Sequence, residues 1–377
     1  MESLHGRDTH TQDMKLISRI DRYIIGKFLG TYFFSIILII SIAVVFDINE
    51  NLDKFLTRNA TMHEIIFDYY LNFVPYYSNL FSQMFVFVSV IFFTTKLAEN
   101  SEIIAMMSSG MTFGRIVRPY MLSAALIALL TWGLGAYVIP KGNVKRVAFE
   151  NTYKRRKNAN FTTNVQLQVA DGVIAHIGRY DHNSKTGHDF TLDHFEDKVL
   201  VSHLQATSVQ YDTLSEEPGH WAILNYSVRR FEGRREVLSS GRRMDSLLNM
   251  EPQDFLITRG QQETLTTPEL SAYITRQKAR GFANIKEFEV EYWKRGASAF
   301  ASFILTLIGV SISAQKRKNG MGITLALGLA LILAYIMFQT ISATFAINAN
   351  WHPGLAAWLP NMVFAVIAYA LFRRAAR

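Results

Sequence analysis

Seven basic residues crowd into seventeen positions of this 377-residue chain: Lys141, Lys145, Arg146, Lys154, Arg155, Arg156 and Lys157. Clustered ammonium and guanidinium groups are natural partners of phosphate. Lys141 and Lys145 are four apart, so they share a face of any helix that carries them. Two readings compete. The cluster meets phosphate-bearing lipid headgroups or sugars, or it is a solvated linker held by the acids around Asp47, Glu50, Asp53 and Asp68. A second stretch, Ser101-Glu-Ile-Ile-Ala-Met-Met-Ser-Ser-Gly-Met-Thr112, is built differently. Asn100 or Ser101 can cap a short helix, Glu102 suits its positive end and Gly110 can stop it. Its Ile103, Ile104, Met106 and Met107 either dock a partner or pack on the chain's own helices.

Catalytic constellations are missing from the sequence. No G-x-x-x-x-G-K-[ST] loop could cradle a nucleotide, and no serine sits in G-x-S-x-G. His176, His182, His188, His194 and His203 lack the helical spacing of a zinc site and read as solvated or structural. The chain has no cysteine, which removes disulfides, thiolate zinc ligands and a thiol nucleophile. The expectation is a non-enzymatic chain with no cofactor, no metal and no nucleic-acid partner.

The elements that must position these residues are of two kinds. Apolar runs lie near 28–46, 74–95 and 119–139, then near 296–315, 322–347 and 355–372. Each is about the 20 residues that a helix needs to cross a bilayer core. No Asp, Glu, Lys or Arg occurs from Asn319 to Phe372, with only a turn at 348–354 interrupting, which reads as a membrane hairpin. Between the two groups the chain alternates polar and apolar residues. Val165–Val169, the Asp171-Gly172 turn and Val173–Tyr180 form a hairpin signal, and strands follow at 190–195, 199–209 and 221–231. Mean hydropathy is only +0.10 because this polar insert dilutes the apolar runs. The fold class predicted is an α-helical membrane protein with a β insert, three helices on each side of it.

The division is 1–27 as an N-terminal or interfacial segment and 28–140 as three spans, with a short helix at about 98–110. Next come 141–264 as the β domain, 265–295 as connecting helices and 296–377 as three more spans with a basic end. Residues 15–27 read either as an interfacial helix or as the start of the first span. Thr267 is expected to cap a helix running to Arg280. Tyr76, Asn79, Ser82 and Gln83 begin the second span and either line a lumen or bond neighbouring helices. Ala326, Ala330 and Ala334 suit close helix packing in the fifth. Short-loop bases lie at the N-terminus, at Lys96, Arg115 and Arg118, at Lys316–Lys318 and at Arg373, Arg374 and Arg377. By the positive-inside bias both termini are cytoplasmic and the β domain faces outward.

Four stretches together resemble the Lpt permeases, the paired inner-membrane subunits of the lipopolysaccharide exporter of Gram-negative bacteria. They are Asp21-Arg-Tyr-Ile-Ile-Gly-Lys27, the 101–112 stretch, Thr267-Pro-Glu-Leu270 with the helix after it, and Trp358-Leu-Pro-Asn361. The resemblance implies a periplasmic jellyroll, a paralogous permease subunit and a cytosolic ABC ATPase dimer. It also implies a periplasmic bridge protein of matching jellyroll type that receives lipopolysaccharide through its lipid A. Residues 101–112 would then be the coupling helix, with Ser101, Glu102, Ile103, Met106, Met107, Ser109 and Gly110 meeting the ATPase. Lys54, Lys141, Lys145, Arg146, Lys154, Arg155 and Arg156 would hold lipid phosphates. The first and fifth spans of two subunits would face each other as a lateral gate. Where family members carry lysines at the outer end of the first span, this chain has Asp47, Glu50 and Asp53, with Lys54 nearby. Two other classes fit parts of the pattern: a four-span lipoprotein-release or macrolide-type permease, and a membrane-bound enzyme acting on envelope glycans.

Overall fold

The computed structural model describes residues 18–154, 161–181, 183–212, 219–233, 235–252, 260–279, 285–315, 320–349 and 351–376. Six helices are long and apolar enough to cross a membrane, three before the β domain and three after it. Six spans exclude the four-span plan.

Helix α1 runs Arg19–Thr57, 39 residues. At 1.5 Å per residue that is about 58 Å, nearly twice a bilayer core. Its start is a capping box: Ser18 Oγ accepts the Asp21 N–H, and Asp21 accepts the Ser18 N–H. Within the described residues the helix is unbroken here, so 18–27 is the beginning of the span and not a separate interfacial helix. The chain returns through Glu64–Tyr70, a wide helical turn, α2 (Leu71–Leu80) and α3 (Ser82–Glu99). The short α4 (Glu102–Ser108) precedes α5 (Phe113–Gly133), which continues through α6 (Ile139–Phe149) to Lys154. Because α5 and α6 are one continuous rod, α4 and the β domain leave the helical block at opposite ends. After the β domain come α7 (Thr267–Ala279), α8 (Lys286–Ser313), α9 (Gly320–Asn348) and α10 (Pro353–Ala375). Thr266, not Thr267, caps α7: its N–H and hydroxyl both donate to Glu269. Those bonds hold the Glu269 carboxyl below its usual range.

Helices α3 and α8 form the centre. Phe85, Val90 and Val310 join Phe28 and Tyr120 in one cluster, and Phe87, Ile308, Ile332 and Phe364 form the other. Asn361 of the Trp358–Asn361 stretch is buried. It accepts from Tyr335 Oη at 2.8 Å and donates to Ala297 O at 2.8 Å, tying α8, α9 and α10. Close approach of α9 is at Gly328, where a Cβ would come 2.2 Å from Ile91. The stripe Ala326, Ala330 and Ala334 lies on the exposed side instead.

The insert is one six-stranded antiparallel sheet in sequence order. Its strands are β1 (Phe161–Ala170), β2 (Val173–Asp181), β3 (Thr186–Glu196), β4 (Val199–Tyr211), β5 (His220–Glu232) and β6 (Arg235–Leu247). Register places Val165, Ile177, Phe190, Ala206 and Tyr226 in one cross-strand row, with Leu167, Ala175, Leu192, Leu204 and Val228 in the next. One face is therefore continuously apolar, as period-two alternation requires. Gly172 closes the β1–β2 turn at φ +72°, and a Cβ there would meet Phe195 O at 2.3 Å. Gly172→Ala is expected to cost about 1–3 kcal/mol. Hydrogen exchange in the full chain would show it as faster exchange confined to the β1–β2 amides.

Candidate functional site

The sequence pointed to two places, one at each end of the helical block. At the first, Ser101 takes a left-handed conformation, φ +60°, which turns the chain sharply out of α3. Glu102 accepts from Asn100 Nδ2 at 3.2 Å and from Tyr23 Oη of α1 at 3.5 Å. Ile103 is 2% exposed and packs, with Met106, into the cluster around Ile24, Phe93 and Phe113. Ile104 and Met107, three residues apart on one face, are 48% and 42% exposed. Gly110, at φ +93°, ends the helix, its N–H donating to Met107 O, while Ser109 Oγ donates to Met106 O. The packing reading holds for one face of α4, and the other face is exposed. Ile103 and Met106 serve the chain's own core, and Ile104, Met107 and Ser108 are left outward.

A contact that spacing does not reveal fixes this end. Arg115, in the first turn of α5, donates both terminal nitrogens to Asp21 at 2.6 and 2.7 Å. Together with Tyr23 and Glu102 it couples α4 and α5 to the start of α1. An aspartate in the lead-in to a membrane span needs a partner, which was the available signal.

At the other end the basic cluster comes apart into distinct roles. Arg146 is 3% exposed. It donates to Glu150 at 2.6 Å, Glu263 at 2.7 Å and Asn143 at 2.8 Å, and lies 3.9 Å over the Tyr76 ring. Burial pushes the Glu263 carboxyl up despite Arg146. Lys154 bonds Asp47 of α1 at 2.7 Å and the Tyr69 hydroxyl. Lys145 pairs with Asp68 at 3.2 Å while staying 65% exposed. Lys54 Nζ donates to Asn51 at 2.9 Å, and Lys54 and Lys141 are both exposed. Arg155 and Arg156 lie outside the described residues. Lys154 is held by Asp47 as the linker reading has it, whereas Arg146 is buried and held by Glu150 and Glu263, acids which that reading did not name. The aromatic cluster Phe55, Tyr69, Phe73 and Phe149 seals the same joint between α1 and α6.

Beneath it is a cavity of ≈ 290 Å³, lined by Tyr76, Asn79, Gln83, Lys294, Gln339 and Thr340 among others. Gln83 also donates to Ser298 O and Tyr32 bonds Ser82, so the polar start of the second span both lines a cavity and ties helices. Among the described residues, no group of three or more His, Asp or Glu could hold a metal.

Burial separates the spans. In their most apolar stretches α3 and α8 are 72% and 67% buried, but α1 and α9 only 17% and 22%. The α5–α6 rod and α10 lie between, at 33% each, so α1 and α9 are the least buried spans. A family model for the lipopolysaccharide export system permease LptF/LptG matches residues 22–374. The chain belongs to that family. It is similar to the lipopolysaccharide export system permease protein LptG of Escherichia coli strain K12, at 20% identity over 368 residues, covering 94% of this chain and 98% of that protein. The LptG of E. coli O6:H1 strain CFT073 matches to the same extent. The chain is accordingly a permease component of the lipopolysaccharide export transporter and a multi-pass inner-membrane protein.

Proposed function

We propose that this permease is one of two paired subunits, worked by a separate cytosolic ABC ATPase dimer that docks on α4. In this reading the α4 end and both termini are cytoplasmic and the β domain is periplasmic. Lipopolysaccharide enters between α1 and α9 of facing subunits and rises along the apolar face of the sheet towards a periplasmic bridge protein of similar build. Each buried methylene is worth about 0.8 kcal/mol, so lifting a multi-chain lipid out of a bilayer needs an external energy source.

The observation that carries the pairing is the low burial of α1 and α9. Their bare faces hold the small residues that let membrane helices approach closely: Gly26 and Gly30 on α1, and Ala326, Ala330 and Ala334 on α9. Lys141 and Lys145 of the basic cluster, and Lys54 of α1, retain the exposure that contact with lipid phosphate requires. Tyr23–Glu102 and the packing of Ile103 on Ile24 connect α4 to α1, and Asp21–Arg115 connects α5 to it, so a push on α4 reaches the gate.

A photo-crosslinking residue at Ile37 or Met337, 67% and 63% exposed, is expected to capture a second permease chain and lipopolysaccharide. The same probe at Val366, 70% exposed on α10, is expected to capture neither. Equal capture from all three positions would overturn the pairing.

A further inference from the structure

A second cleft, of ≈ 500 Å³, opens between α5, α8 and α10, away from α1 and α9. Gly114, Val117, Arg118 and Met121 form its α5 wall, facing Leu307 and Phe372. The α5 residues recur at three- and four-residue steps and so share one face. The Phe113 ring lies tilted against Phe372 beside them, centroids 5.7 Å apart. These residues come from the first turns of α5, the last turns of α8 and the end of α10, so the cleft sits at the membrane face that bears α4. Its volume lies within the roughly 300–1,000 Å³ of ordinary ligand pockets.

Two features point to its occupant. The first is shape. Gly114 has nothing within 4 Å of where a Cβ would stand, so this helical glycine borders open space and not a close neighbour. The second is charge. Arg118 is the one cation in an otherwise apolar lining. Arg373 and Arg374 follow Phe372 directly and are exposed. The three helices supply no neutralising acid nearby: α5 and α6 have none from Phe113 to Phe149, α8 none from Tyr292 to Ser313, and α10 none at all. An apolar slot with one exposed guanidinium in its wall, at the level of a membrane surface, matches a lipid with an anionic headgroup.

We propose that the cleft holds an acyl chain of one anionic phospholipid, taken from the leaflet on the α4 side, with its phosphate against Arg118. Which leaflet that is rests on the orientation proposed above; the site itself does not. The bound lipid braces the first turn of α5, directly after α4, and stands apart from the export path along α1 and α9.

Native mass spectrometry of the full-length chain with its co-purifying subunits tests this, after exchange into mixed phosphatidylglycerol and phosphatidylcholine. The wild type is expected to retain one phosphatidylglycerol. Arg118→Gln should weaken that retention about tenfold, the loss of one charge-assisted contact. Gly114→Leu fills the slot and should abolish it without lowering the lipid-free unfolding temperature. Arg276→Gln, exposed on α7 after the β domain, should retain lipid as the wild type does. Undiminished phosphatidylglycerol in both cleft variants, retention of phosphatidylcholine instead, or lipopolysaccharide as the retained species would each refute the site. Lipopolysaccharide-stimulated ATP hydrolysis, measured in parallel, reads the export proposal independently.

Discussion

Arg146→Ala is expected to destabilise the folded chain by about 3–5 kcal/mol, the penalty for removing one partner of a buried ionic group. The guanidinium joins three separate parts of the chain. Asn143 and Glu150 belong to the outer end of the third span, the Tyr76 ring belongs to α2, and Glu263 stands in the turn where the chain comes back from the β domain. Asn143 reinforces the joint by donating to Glu263 O at 3.1 Å. Without Arg146, two carboxylates face each other in a site where burial already raises the Glu263 carboxyl, and one of them must take up a proton. Arg146→Lys should recover only part of the loss, since one ammonium cannot serve two carboxylates and an amide in the fixed fork that guanidinium provides. Adding Glu263→Gln to Arg146→Ala should cost less than the sum of the single changes. Denaturant unfolding of the detergent-solubilised chain checks all of these. If Arg146→Ala unfolds with the wild type and only lipopolysaccharide binding drops, Arg146 is a headgroup ligand after all.

The same residue shows where reading a sequence stops. Charge-free runs mark the membrane slab well, because lipid penalises every unpaired charge. They mark where lipid ends and not where a helix ends: α1 continues eleven residues past Phe46, to Thr57, on Asp47, Asn51 and Lys54, which lie beyond the apolar run. Strands β1 to β5 were visible through alternation and through Asp171-Gly172. Strand β6 was not, because it is an edge strand exposed along both faces, and Val237, Leu238 and Gly241 obey no period. Partners of charges are invisible for a different reason. Arg115 and Asp21 are 94 positions apart, and Arg146 and Glu263 are 117 apart. No local spacing encodes such pairs. A basic cluster therefore looks alike in sequence whether it grips a ligand or holds a joint, and only the fold divides Arg146 and Lys154 from Lys54 and Lys141. The 101–112 stretch was legible as a helix, but its two faces were not, since all four apolar side chains are of similar character.

That division of faces sets the second large effect. Ile104→Glu and Met107→Glu are each expected to reduce co-purification of the ATPase by more than about 30-fold, the roughly 2 kcal/mol scale of an interface hot spot. Both side chains already stand in solvent, so the isolated chain should unfold as the wild type does. Ile103→Ala should behave in the opposite way. Its side chain lies in the cluster with Ile24 and Phe113, and truncating it should cost about 2–5 kcal/mol of stability. Any loss of ATPase from that variant would follow from unfolding of α4 against α1. Glu102→Ala falls between the two: it frees Tyr23 and Asn100 and loosens α4 from α1. Pull-downs from membranes, paired with unfolding curves of the same samples, separate binding from folding. Docking on α4 predicts that the binding losses track the outward residues and the stability losses track the inward one. Should Ile104→Glu, Met107→Glu and Glu102→Ala all retain the ATPase at wild-type yield, α4 is an internal brace and the power stroke reaches this permease elsewhere.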